Sequence, residues 1–270
     1  MPTPKLVDSH CHLDADYAGK PVSLIVSEAH TNDVAWMVSV ATDAITATEV
    51  QAIAEAHENV FFSVGIHPHE SARFDLAAVE AMKPFYRHKK CVAVGEIGLD
   101  YFYNHSAKEP QIEIFRAQLA LAREVGKPVI IHCRDAEADT LKELEVYAKG
   151  HSGQMALKNP GVIHCFTGTK EFGQACLDLG FYISFSGIIT FKNAEPLREC
   201  ARVFPIERLL VETDSPFLAP TPFRGRKCEP AMVKMTALKL AEIKGLDFET
   251  LARHTSQNSA KLFGLTSANP

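Results

Sequence analysis

Eight short, almost wholly apolar runs recur along this chain, and they constrain its fold more than any other feature. They are Leu6-Val7-Asp8-Ser9, Trp36-Met37-Val38-Ser39-Val40, Phe61-Phe62-Ser63-Val64, Val92-Ala93-Val94-Gly95, Val129-Ile130-Ile131, Gly161-Val162-Ile163, Phe181-Tyr182-Ile183-Ser184 and Leu209-Leu210-Val211. Runs without a polar alternation are what strands buried on both faces look like. Helical patterns lie between them, for example residues 112–125, 136–148 and 171–179, with Pro110, Gly126, Pro128 and Gly180 marking their ends. Eight strand–helix units in a chain of 270 residues predict an α/β fold, a single TIM-type (β/α)8 barrel domain over residues 1–270. An open doubly wound sheet would carry a glycine-rich phosphate loop after its first strand, and none follows Leu6-Val7. Residues 229–244 and 248–263 also look helical, giving the last barrel helix and an additional C-terminal helix.

Composition excludes several classes. With 46% hydrophobic and 23% charged residues the chain can bury a large core, so disorder and fibre are ruled out. A formal net charge of -5 is mildly repulsive to phosphate, so a nucleic-acid substrate has to be held by local cations. The first residues lack the pattern of a signal peptide, and no apolar run is long enough to span a bilayer. Seven cysteines without paired spacing suit a reducing compartment, so the cytoplasm is the expected location. A monomer is the working expectation, with the oligomeric state left open by the sequence.

Chemistry-bearing residues cluster where these strands end. His10 and His12 are two apart, so strand alternation sends both imidazoles to one side. Glu96, His132, His164 and Asp214 follow strands four, five, six and eight, and barrel active sites are built at those C-terminal ends. Each has a bland alternative, since a buried histidine is often only hydrogen-bonded and Asp214 could cap a turn. Together, four imidazoles and two carboxylates converging without a counterion would be costly to bury, and they suit zinc, manganese or an iron-class ion. Cys11, Cys133 and Cys165 each follow a histidine of this set, so alternation turns them toward the helix layer as small core residues.

The segments His10-Cys11-His12, Gly95-Glu96-Ile97-Gly98-Leu99-Asp100, His132, His164-Cys165-Phe166-Thr167-Gly168 and Glu212-Thr213-Asp214-Ser215-Pro216-Phe217-Leu218-Ala219-Pro220 resemble the signatures of the TatD deoxyribonuclease family, across nearly the whole chain. The resemblance implies two divalent metal ions, such as zinc, manganese or magnesium. His10, His12, Glu96 and Asp214 would hold one, and Glu96, His132 and His164 the other, with Glu96 bridging. Related phosphotriesterase and dihydroorotase groups carry a carboxylated lysine at that bridging position. One departure stands out: relatives carry asparagine where Cys228 precedes Glu229-Pro230.

General two-metal chemistry then predicts activation of a water for attack on phosphorus, with Asp214 as general base. The resemblance also places His67 in the site, against the scissile phosphate or leaving group. His69, beyond Pro68, is expected to be exposed. Arg134 and Arg224 are candidate phosphate clamps, because a guanidinium matches phosphate oxygens bidentately. Phe223-Arg224-Gly225-Arg226-Lys227 would give the mouth a basic rim, while Tyr101, Phe102, Tyr103 and Phe166 are candidates for stacking on bases. The reading is a phosphodiesterase acting on single-stranded ends of DNA. Hydrolysis of a small amide, lactone or other ester is the alternative on the same metals, and a non-catalytic metal-binding barrel is a third.

Overall fold

In a computed structural model that describes residues 5–150 and 155–265, all eight apolar runs are strands. They are β1 (Leu6–Cys11), β2 (Val34–Val40), β3 (Val60–Val64), β4 (Cys91–Asp100), β5 (Val129–Arg134), β6 (Gly161–Ile163), β7 (Tyr182–Phe185) and β8 (Leu209–Val211). The strands are parallel and ordered β1 to β8 in one eight-stranded sheet. The seam between β1 and β8 is stitched just where the candidate site lies. The Asp214 amide donates to the His10 carbonyl at 2.9 Å, the His12 amide to the Ser215 carbonyl at 2.8 Å, and the Ser9 hydroxyl to the Val211 carbonyl at 3.1 Å. The result is a nearly closed TIM barrel.

Helices alternate with the strands: α1 (Val22–Thr31), α2 (Ala44–Ala56), α3 (Leu76–Ala81), α4 (Lys108–Val125), α5 (Glu137–Lys149), α6 (Lys170–Asp178), α7 (Glu195–Val203), α8 (Val233–Lys244) and α9 (Phe248–Phe263). Local chemistry sets their ends. Asp43 accepts from the amides of Ile45 and Thr46 while Thr46 reaches back, a capping box that starts α2. Gly126, with a positive φ of 67°, ends α4. The expected helix over residues 229–244 begins later than its pattern suggests, because Pro230 opens a separate 3-10 turn before α8.

Val7, Val38, Phe61, Val92, Ile130, Val162, Tyr182 and Leu210, one from each strand, form a single cluster with Leu262, Phe263 and Leu265. A cluster shared by all eight strands can lie only inside the barrel, so the end of α9 plugs it. Ser256 of α9 donates to the Lys5 carbonyl at 2.5 Å, and Asn258 donates to the carbonyls of Ile206 and Leu209 at 2.8 and 2.9 Å. These contacts are at strand starts, which leaves the C-terminal mouth open for chemistry.

β4 runs for ten residues rather than the four its apolar run suggests, and all ten are buried. Gly98 makes the extension possible. Its φ is +146°, and a Cβ there would lie 1.9 Å from the His132 carbonyl oxygen. Gly98→Ala therefore forces β4 and β5 apart, costing about 3 kcal/mol or more, a loss of roughly 5–10 °C in Tm. Thermal denaturation followed by circular dichroism checks this, and an unchanged Tm would refute the close approach.

Candidate metal centre

The Glu96 carboxylate is the hub of the barrel mouth. Its Oε2 lies 3.4 Å from His10 Nε2 and 4.0 Å from His12 Nε2, and its Oε1 lies 2.9 Å from His132 Nδ1 and 2.7 Å from His164 Nε2. Asp214 Oδ1 completes the first group, 3.7 Å from His10 Nε2 and 3.5 Å from His12 Nε2, with the two Nε2 atoms 3.3 Å apart. Metal bonds of ~2.0–2.1 Å put tetrahedral donors about 3.3 Å from one another. The first group is therefore spaced for one cation, and His132 and His164 meet at the other Glu96 oxygen, where a second set of donors is available.

The outward hydrogen bonds agree with that fit. His12 Nδ1 donates to the Val40 carbonyl at 2.9 Å, His132 Nε2 to Asp100 Oδ2 at 2.9 Å, and His164 Nδ1 faces Glu212 Oε1 at 3.3 Å. With a cation bound, each ring can keep its proton on the outward nitrogen and turn a lone pair inward. Donor proximity by itself groups His10 with His12 and Glu96, His67 with Glu96 and His132, and Glu212 with His10 and His164. Tautomers separate these cases. His67 Nδ1 accepts the His69 amide at 3.1 Å, so the nitrogen facing Glu96, at 3.4 Å, carries the hydrogen and is a donor, not a ligand. Glu212 stands behind His164, its Oε1 also accepting the Cys165 amide at 2.7 Å.

Charge is arranged accordingly. Burial opposes ionisation of Glu96 and Asp214, yet the surrounding imidazoles outweigh it and hold both below the usual carboxylate range. Burial likewise opposes charge on His12, but the Asp214 and Glu96 carboxylates carry its pKa up to about 9. His132 and His164 are raised against burial by Asp100, Glu96 and Glu212. Burial prevails at His10, which is lowered, and at His67, pushed down to about 4. At the barrel seam burial pushes Asp8 up to about 8, although Thr213 donates to it from its amide and its hydroxyl.

α4 fixes two of the loops. Gln118 pairs with both the amide and the carbonyl of Ile66, at 2.7 and 3.0 Å, one residue before His67. Gln111 does the same for Asp100, at 2.8 and 2.9 Å. The two glutamines are two helical turns apart, on one face. Asp100 was legible only as part of a motif, yet its Oδ2 receives His132 and, at 3.0 Å, His69. Burial would raise its pKa, but those bonds and the Tyr103 amide hold it far below the usual range.

A cavity of about 590 Å³ opens above the cluster, lined among others by Asp14, His67, His69, Glu70, Arg134, Cys165 and Phe217. Several expectations need correction. His69 is half-buried and tied to Asp100, because the turn after Pro68 folds back over the mouth. Arg134 lines the cavity, its guanidinium 5.0 Å from the Phe102 ring. Arg224 is not among the lining residues: it sits 3.7 Å over the Phe191 ring and donates to the Ala219 carbonyl. Lys227 turns to the Asp16 carbonyl, and none of residues 223–227 lines the cavity itself.

Cys11 packs in the outer core as expected. Cys133 also packs against that core while touching the cavity, whereas Cys165 lines the cavity because β6 has ended and its φ of 42° breaks the strand alternation. Phe166 is a core residue packed on Phe172, Phe185 and Phe204, and the Tyr101 hydroxyl is taken by Asp139. Cys228 is buried, its amide donating to the Pro216 carbonyl, so the departure from the family pattern falls behind the loop of Asp214. Asp14, with one buried carboxylate oxygen lacking a hydrogen-bond partner, was missed by sequence reasoning.

A barrel closed at one end, with imidazoles and carboxylates spaced for divalent cations at the other, defines a metal-dependent hydrolase. The chain belongs to the TatD family: the family model described as TatD related DNase matches residues 7–264. It is 45% identical over 262 residues to an Escherichia coli protein named uncharacterized metal-dependent hydrolase YcfH, covering 96% of this chain and 95% of that one. It is 37% identical to the 3'-5' ssDNA/RNA exonuclease TatD of Pantoea ananatis, covering 89% of this chain and 92% of that one. Among solved structures, the TatD homologue YjjV of Escherichia coli superposes with a TM-score of 0.88 at 26% identity, covering 97% of this chain and 99% of that one.

Proposed function

We propose that this hydrolase cleaves phosphodiester bonds of DNA, removing nucleotides from single-stranded ends, with two divalent ions of the zinc, manganese or magnesium kind. The observation that carries the reading is the Glu96 carboxylate, one oxygen facing His10 and His12 and the other facing His132 and His164. When bound, the ions supply positive charge against the phosphate oxygens and make a water acidic at neutral pH.

The protein's own groups do the rest. Asp214 is ionised, and the carboxylate oxygen left free when Oδ1 holds the cation takes the proton of the attacking water. His67 is neutral and presents its Nε2–H to a phosphate oxygen or to the leaving oxygen. Arg134 holds a neighbouring phosphate, and Arg224, seated on Phe191, reaches at most a phosphate further along the strand. All seven cysteines are free, which supports a cytoplasmic setting. Among the described residues no helix is long and apolar enough to cross a membrane, and we take the working unit to be a monomer.

End-labelled single-stranded and duplex oligonucleotides, incubated with metal-loaded enzyme and separated by length, test this proposal. The expected result is a ladder of shortened single strands that EDTA abolishes and added divalent ion restores. Cleavage unaffected by EDTA, or no cleavage of any oligonucleotide, would sink it. Asp14 and Glu70 in the cavity wall favour a second reading, because carboxylates repel phosphate while leaving neutral amides and lactones unaffected. A panel of such substrates turned over faster than any diester decides for it.

A further inference from the structure

Six ring contacts run in an unbroken row across the mouth, and the row ends in an exposed aromatic on each side. Phe217 lies 6.3 Å from His12, His12 5.0 Å from His10, His10 3.9 Å from His164, and His164 5.7 Å from His132. The row continues from His132 to His69 at 6.1 Å and from His69 to Tyr103 at 5.5 Å. Phe217 is 59% exposed and Tyr103 55% exposed, although both line the cavity. Each leaves more than half of its surface to water beside the candidate site, and apolar surface placed on a cavity wall is available to a ligand.

We propose that Tyr103 and Phe217 are the two stacking platforms for the nucleobases that flank the scissile phosphate, one on each side. The inference rests on the phosphodiesterase reading and assigns the part of the substrate that the metal cluster leaves untouched. A phosphate centred over Glu96 has the His10–His12 half on one side and the His132–His69 half on the other. The bases it joins extend over those two flanks, where Phe217 and Tyr103 stand.

The neighbourhoods of the two rings fit that occupant. Tyr103 is backed by a nearly parallel His105 ring, at 6.0 Å and 15°, and by an edge-on Phe102 at 4.8 Å. Arg134 lies over Phe102, so a cation sits beside this stack, where the next phosphate of a continuing strand would pass. On the other flank Phe217 shares the cavity wall with Ile188 and Leu218, which offer an apolar face but no charge. Stacking needs only the π-face that every base has, so these platforms favour unpaired strands over duplex without reading sequence.

The test is a double-mutant cycle on trinucleotide cleavage by the metal-loaded enzyme, with tetrahydrofuran abasic residues placed on either side of the scissile bond. Phe217→Ala and Tyr103→Ala are each expected to lower kcat/KM on the intact trinucleotide by about tenfold to a hundredfold. Each loss should shrink to about twofold or less when the base that stacks on that ring is missing, a different position for each variant. Phe217→Trp should restore the rate, and elemental analysis should show the same metal content in every variant. Equal losses on intact and abasic substrates, or no loss at all, would overturn the assignment. Wild-type cleavage with unaffected variants rejects the platforms alone, whereas a wild type that cleaves no oligonucleotide rejects the phosphodiesterase reading with them.

Discussion

Exchanging Glu96 for glutamine removes at least about a thousandfold from kcat/KM, equivalent to ~4 kcal/mol of transition-state stabilisation. The change is nearly isosteric, so the effect is one of charge and lone pairs. Glu96 is buried and offers one oxygen to each half of the cluster. An amide can turn only its oxygen toward one half and must turn an NH2 toward the other, where His132 and His164 already crowd the site at 2.9 and 2.7 Å. With two cations held as proposed, one would lose a ligand outright and the other would exchange an anionic oxygen for a neutral one, so metal content falls along with the rate. Steady-state kinetics and elemental analysis on the same preparation check this. Wild-type rate with full metal content would show that Glu96 bridges nothing.

Residues set by strand period were legible in the sequence, and residues set by loops were not. All eight strands could be read because parallel strands in a barrel are dry on both faces, which leaves apolar runs such as Val129-Ile130-Ile131. The structure gathers His10, His12, Glu96, His132, His164 and Asp214 at one mouth, because each lies where a run gives out and a barrel turns toward solvent. Asp100 was out of reach because the apolar pattern of β4 stops at Gly95, while Gly98 lets the strand approach β5 and continue to Asp100. His69 depends on a tight turn begun at Pro68, and sequence reads such a turn as solvent-facing. Phe217 and Arg224 share one loop and part company in it, since Arg224 finds the Phe191 ring and Phe217 finds the cavity. Glu212 was hidden in plain view, two positions before Asp214 and on the same edge of the barrel, and only its contact with His164 separates a support from a ligand.

Cation affinity should tighten by up to about tenfold per pH unit for each proton displaced between pH 6.5, the ordinary histidine value, and about 9, where His12 of the metal-free fold loses its proton. The sign follows from where the proton sits. Metal-free His12 is an imidazolium held by Asp214 and Glu96, so it stabilises the fold fully below 6.5, and that contribution disappears as pH rises through about 9. A cation needs the same Nε2 lone pair and must displace the proton. His132 and His164, also raised, add to the trend with the same sign, whereas His10 and His67, both lowered, are already neutral and add nothing. The metal-free fold therefore loses stability over this interval while the zinc-loaded fold gains relative to it, and the gap between their Tm values widens with pH. Paired thermal melts at the two ends of the interval measure that gap, and titration calorimetry in buffers of different ionisation enthalpy counts the protons released. A gap that stays constant, with no proton released, would mean that the His12 nitrogen facing Asp214 never gives its lone pair to a cation.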